Sequence, residues 1–163
     1  MAQQTKSAPK TGVQTSKRGS KKRQSVRLDI AAPFELYRIN LPAGKDRPPV
    51  DHIKVRGVLL NISGSGVLGA VDAELPVDSY VVLTFELNGM EKIERILGKV
   101  KRVEKVEHSE YITGFEFIHP VEFLELISEG DREIYDSEIR GFDDTVQKMI
   151  AKYVIRNRDK DEI

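Results

Sequence analysis

Through the middle of the chain, apolar and polar residues alternate in short runs, the pattern of half-buried β-strands. Leu28, Ile30, Phe34, Leu36 and Ile39 lie among polar residues and predict a first strand, with a bulge or sheet edge at Pro33. Residues 40–50 read as a loop, because Pro48-Pro49 prevents regular hydrogen bonding. Ile53 to Ile62 predicts a second strand. Its pleat places Ile53, Val55, Gly57, Leu59 and Asn61 on one face, with Val58, Leu60 and Ile62 partly on the other. Gly64 to Gly66 supplies a turn, and Val67 to Val71 a short third strand. Tyr80 to Leu87 is rich in β-branched and aromatic residues. Asn88-Gly89 is the strongest hairpin turn in the chain. The strand after it carries Ile93, Ile96, Leu97, Val100, Val103 and Val106, with a bend or bulge expected at Gly98. Tyr111 to Ile118 alternates again, with Thr113, Phe115 and Phe117 opposed to Ile112, Gly114 and Glu116. Six strands at this spacing point to a small closed or nearly closed antiparallel barrel.

The period changes after His119-Pro120. Val121, Phe123, Leu124 and Ile127 form a short helical segment with proline near its first turn. Asp144-Thr-Val-Gln147 resembles a capping box. Val146, Met149, Ile150, Tyr153 and Val154 then share one face of an amphipathic helix. That face packs against a barrel mouth or, in a second reading, forms a homodimer or partner surface. Residues 131–143 either join this helix or break near Gly141. The fold expected is thus mainly β, with C-terminal helices.

Composition narrows the chemistry. The 163 residues, 39% hydrophobic and 32% charged, suffice for one domain with a real core. With no cysteine there is no disulfide, thiolate metal site or thiol nucleophile. His52, His108 and His119 are scattered, lack metal-ligand spacing and sit beside no evident nucleophile, so neither a metal nor catalysis is expected. Asp143, Asp144 and their neighbours lack a calcium-loop pattern and read as a solvated, helix-capping face. No run approaches the roughly 18 to 20 apolar residues that span a bilayer. The N-terminus has no apolar secretion core. No membrane insertion and a cytoplasmic location are the expectations.

Charge is unevenly distributed. Residues 1–27 carry eight Lys or Arg and no acid, which leaves 18 basic against 26 acidic residues in 28–163. Residues 1–22 hold almost nothing apolar and are expected to form a disordered basic tail. An anion is drawn to this tail and its root rather than to the acidic body.

Two strings lie where such an anion would arrive: Arg23-Gln-Ser-Val-Arg27 at the root of the tail, and Asn61-Ile-Ser63-Gly-Ser-Gly66 at the end of the second strand. Taken singly, the first is also what a solvated tail contains, and the second is also plain turn chemistry. Together, in this order, R-x-x-x-R and N-x-S-x-x-G resemble the signature of PilZ domains. The approach Gly57-Val-Leu-Leu-Asn-Ile-Ser63 and the last strand Gly114-Phe-Glu-Phe117 are similar too. The resemblance covers roughly residues 20–119. The gap of 34 positions from Arg27 to Asn61 is slightly long, and the loop at 40–50 accounts for the excess.

The resemblance implies a six-stranded PilZ-type barrel over 23–119, with a helical extension over 120–163. It implies binding of the bacterial second messenger cyclic di-GMP, with no cofactor. Arg23, Arg27, Asn61, Ser63 and Gly66 would form the site. The chemistry is consistent: the arginine fork matches guanine O6 and N7 and pairs with phosphate. Asn61 and Ser63, two apart, project to one face. Gly66 would let the ligand approach the backbone. Asn61 is neutral where the family often carries Asp, so a charge facing guanine N1–H and N2–H is lost. Lys22 stands at the position that in the family influences whether one ligand or a stacked pair binds.

A separate, unidentified effector protein is the expected output of such a receptor. Two other readings remain: a small barrel that binds nucleic acid through the basic tail, and a PilZ scaffold without a ligand. The acidic body and the lack of aromatic stacking residues on a basic face weigh against nucleic acid.

Overall fold

The computed structural model describes residues 27–88, 92–136, 138–139 and 144–161. The tail at 1–22, Gly89, Gly141 and Asp143 lie outside the described residues. Among the described residues there are six strands: β1 (Arg27–Arg38), β2 (Val55–Ser63), β3 (Gly66–Val71), β4 (Tyr80–Glu86), β5 (Lys92–Glu107) and β6 (Glu110–Phe117). They close into an antiparallel barrel in the order β1-β2-β3-β6-β5-β4. Three helices follow: α1 (Pro120–Leu124), α2 (Glu129–Asp136) and α3 (Asp144–Asp161). The expected mainly β architecture is therefore observed, and residues 131–136 belong to α2 rather than to α3. Among the described residues no helix is long and apolar enough to cross a membrane.

The barrel interior is filled by the inward half of each pleat. Leu36, Leu59, Leu83, Ile96, Val100 and Phe115 are all buried there. Phe34 and Phe115 meet edge to face at 6.0 Å between ring centres. One mouth is plugged by α3, whose Ile150, Tyr153 and Val154 join the same core. The amphipathic face of α3 thus packs against a barrel mouth, the first of its two readings.

A second core lies on the outer wall, where Val82, Leu97 and Ile118 are covered by Phe123 and Tyr135 of α1 and α2. This explains why Val81, Val82 and Leu83 are buried consecutively: both faces of β4 are covered there. His119 caps α1, its Nδ1 accepting from the Val121 N–H at 3.2 Å. The Tyr135 hydroxyl donates to the Asn40 carbonyl and so ties α2 to the loop after β1.

Three expectations need correction. The irregularity in β1 falls between Asp29 and Ala32; Pro33 itself is paired with Val58, and the β1–β4 ladder begins one residue later, at Phe34. Gly98 sits in regular ladder, opposite Val81 and Phe117. It serves clearance instead, since a Cβ there would lie 2.9 Å from Leu83 Cδ1. Two irregularities of β5 flank it, near Arg95 and at Lys101, and a third lies between Lys105 and Glu107. Finally, β2 starts at Val55, Ile53 being largely exposed. A bulge between Leu59 and Asn61 then switches its faces, so that Ile62 turns inward and Asn61 does not.

Ile150 has no exposed surface. Ile150→Ala should therefore cost about 2–5 kcal/mol in urea unfolding if α3 is part of the barrel core; a loss below about 0.5 kcal/mol would show that it is not. Burial raises the Tyr135 hydroxyl above its usual 10.0. The neutral phenol thus stabilises the fold fully below that pH, and the contribution is lost as pH rises through the higher folded value. Unfolding midpoints should fall above about pH 10, and less steeply in Tyr135→Phe.

Candidate functional site: a cationic groove at the start of the first strand

The groove is made by the ends of β1 and β2, the turn into β3, and the neighbouring walls of β5 and β6. Arg27 opens β1 directly opposite Ser63, and Asp29 stands opposite Asn61. Because the β2 bulge reverses the pleat, Asn61 and Ser63 both border the space that Arg27 overlooks. Arg27, Asn61, Ser63 and Gly66 all line one open groove of about 320 Å³. Four of the five expected ligand residues are thereby brought together. Arg23, and with it Lys22, lies outside the described residues.

The turn is tightly built. Ser63 is buried, and its Oγ accepts from the Ser65 N–H at 3.2 Å and donates to the Gly66 carbonyl at 3.4 Å. Its hydroxyl therefore holds the turn that shapes the groove floor. The Phe117 N–H donates to the Ser65 carbonyl at 2.9 Å, which fastens the turn to β6. Gly66 is required by packing: a Cβ there would lie 2.2 Å from the Phe115 carbonyl oxygen. Its bareness serves the close approach of β6, and no ligand is needed to explain it.

The opposite wall holds residues that the motif reading missed. Val100 pairs with Phe115 and Arg102 with Gly114, so one extra residue enters β5 at Lys101. Both Lys101 and Arg102 consequently stand on the outer face, while Val100 and Thr113 are buried. The signal was present in the sequence as two adjacent cations in an otherwise alternating strand, Val100-Lys-Arg-Val103. Lys101 Nζ lies 3.8 Å from Glu116 Oε1. Among the described residues, the side chains of Arg27 and Arg102 have no ionic or hydrogen-bonded partner.

Three cations therefore face one carboxylate in this groove, in a body that is otherwise net acidic. Such a site attracts anions by its local field. Its volume lies within the roughly 300–1,000 Å³ typical of small-ligand clefts. Among the described residues no group of His, Asp or Glu could hold a metal ion.

These features define a class: a small closed antiparallel barrel with a cationic groove where the first strand enters, suited to a small anionic ligand. A family model described as PilZ domain matches residues 21–129, and the chain belongs to the PilZ family, a family of cyclic di-GMP receptors and adaptors. No curated protein matches the chain. Among solved structures it is similar to the Bacillus subtilis inhibitor of motility (MotI/DgrA), with a TM-score of 0.55 and 17% identity. The match covers 85% of this chain and 52% of that one, so the chain spans about half the length of this structural relative. At that identity the likeness is one of fold.

Gly66→Ala should destabilise the protein by about 1–3 kcal/mol, because the obstacle is backbone. Chemical denaturation of the unliganded protein reads this directly; wild-type stability would show that the turn can move away from β6.

Proposed function

We propose that the protein is a non-enzymatic receptor for cyclic di-GMP. Arg23 and Arg27 grip the ligand's phosphates and guanines from the arm, while Asn61, Ser63 and Gly66 form the barrel-side floor. Lys22 acts as an auxiliary cation. The observation that carries this reading is the convergence of Arg27, Asn61, Ser63 and Gly66 on one groove whose cations outnumber its carboxylates. Family membership supplies the ligand class.

Arginine suits the task, since one fork can pair with phosphate, take guanine O6 and N7, or stack on a base face. Ser63 contributes mainly by holding the turn, and Asn61 offers both a donor and an acceptor to the ligand. Ligand binding draws the arm at residues 17–27 against the groove. The altered surface is then read by a separate effector protein, in the cytoplasm. The inhibition of motility named for the structural relative belongs to that protein.

Isothermal titration with cyclic di-GMP, with GTP and cyclic di-AMP as controls, tests the reading. Saturable binding of cyclic di-GMP alone is expected. Arg27→Ala should weaken it by about 1.5–3 kcal/mol, the worth of a hydrogen bond to a charged group. Binding of DNA or RNA with a steep salt dependence, and none of cyclic di-GMP, would favour the nucleic-acid alternative.

A further inference from the structure

The wall formed by β5 and β6 has a chemistry of its own. The extra residue at Lys101 turns two successive side chains outward on β5. Gly114 lies directly opposite Arg102. A Cβ at Gly114 would sit 3.4 Å from Arg102 Cγ and 3.7 Å from its Nε, so the arginine stem lies flat across the bare backbone of β6. Glu116, two residues along on the same face of β6, holds Lys101 at 3.8 Å. Arg102 keeps its fork unengaged among the described residues.

A carboxylate on this wall disfavours a phosphate placed against it, because the two anions repel. A guanine edge is different. It presents acceptors at O6 and N7 and donors at N1 and N2. A guanidinium and a carboxylate on adjacent strands complement those two kinds of group. The pair with Lys101 leaves the Glu116 carboxylate available, since both side chains are about half exposed and such a pair is weak.

Resting on the cyclic di-GMP reading above, we propose that Arg102 is a specificity-determining residue that reads a guanine edge, with Glu116 as its acceptor partner. Arg27, on the other side of the groove, then supplies the phosphate-facing charge. Division of labour follows from sign: the β1 side offers a lone cation, the β5–β6 side a mixed pair.

The test is titration of the full chain with cyclic di-GMP, for wild type, Arg27→Ala, Arg27→Lys, Arg102→Ala, Arg102→Lys and Glu116→Gln. Arg102 and Glu116 lie on the outer wall, and thermal unfolding checks that each variant folds. Arg102→Ala should weaken binding by roughly 5- to 150-fold, as loss of a bidentate base contact does. Arg102→Lys should not rescue, because it keeps the charge and loses the fork. Glu116→Gln should also weaken binding. Arg27→Ala should weaken binding as well, and Arg27→Lys should recover part of it, because a point charge still serves a phosphate.

Rescue by Arg102→Lys, to the extent seen in Arg27→Lys, would identify a phosphate contact and overturn the proposal. Wild-type affinity in Arg102→Ala together with loss in Arg27→Ala would overturn it while leaving the receptor reading intact. No binding by the wild type would overturn both.

Discussion

A sheet of six strands can close into a ring only if its strands tilt and stagger, and bulges take up the stagger. Here β1, β2 and β5 each carry an extra residue in at least one ladder. Each bulge changes which side chains face the core beyond it. In β2 the switch keeps Ile62 in the interior and leaves Asn61 facing the groove. In β5 it sets Lys101 and Arg102 side by side on the outer wall. The groove is therefore a by-product of closure: remove the stagger, and its polar residues would be directed at an apolar core, where unpaired groups are costly.

Packing and site are joined at the same strand ends. Leu28, next to Arg27, and Ile62, next to Asn61 and Ser63, belong to the core that includes Ile150 and Val154 of α3. Short buried residues thus anchor the backbone from which the groove's polar side chains project. The turn that follows is fixed twice, by the Ser63 hydroxyl within it and by the Phe117 N–H from β6. The barrel side of the groove, held on strands and on a tied turn, loses little entropy on binding, because its ordering is already provided by the barrel.

Electrostatics acts here by arrangement rather than by sum. The whole chain is formally neutral, yet the groove gathers cations at the root of a basic arm. Arg27 and Arg102 are exposed to solvent, so holding them unpaired costs little in the free protein, whereas buried charges would demand partners. The outer wall shows the contrast. There Tyr80, Phe123 and Tyr135 pack edge to face, with centroids 5.1 and 5.6 Å apart, and α1 and α2 become part of the barrel's exterior. The helical region is thus divided between the barrel's mouth and its flank.

Much of this was legible in the chain alone. Alternation at period two located all six strands, and the amphipathic period located the face of α3, because both depend on local spacing of apolar residues. The two motif strings singled out Arg27, Asn61, Ser63 and Gly66, which share a groove. Bulge positions were not legible: Pro33 and Gly98 looked like breaks, yet the extra residues fall elsewhere. A bulge is set by the register of two strands at once, and one strand's sequence does not contain its partner's stagger. For the same reason Gly66 looked like room for a ligand, when the Phe115 carbonyl of a strand some fifty positions away requires it. Arg102 and Glu116 stayed hidden because no local string joins them to Asn61. The sequence by itself determined which segments are strands and where cationic chemistry begins. Only the closed ring decided which side chains meet, since that meeting is a matter of long-range pairing.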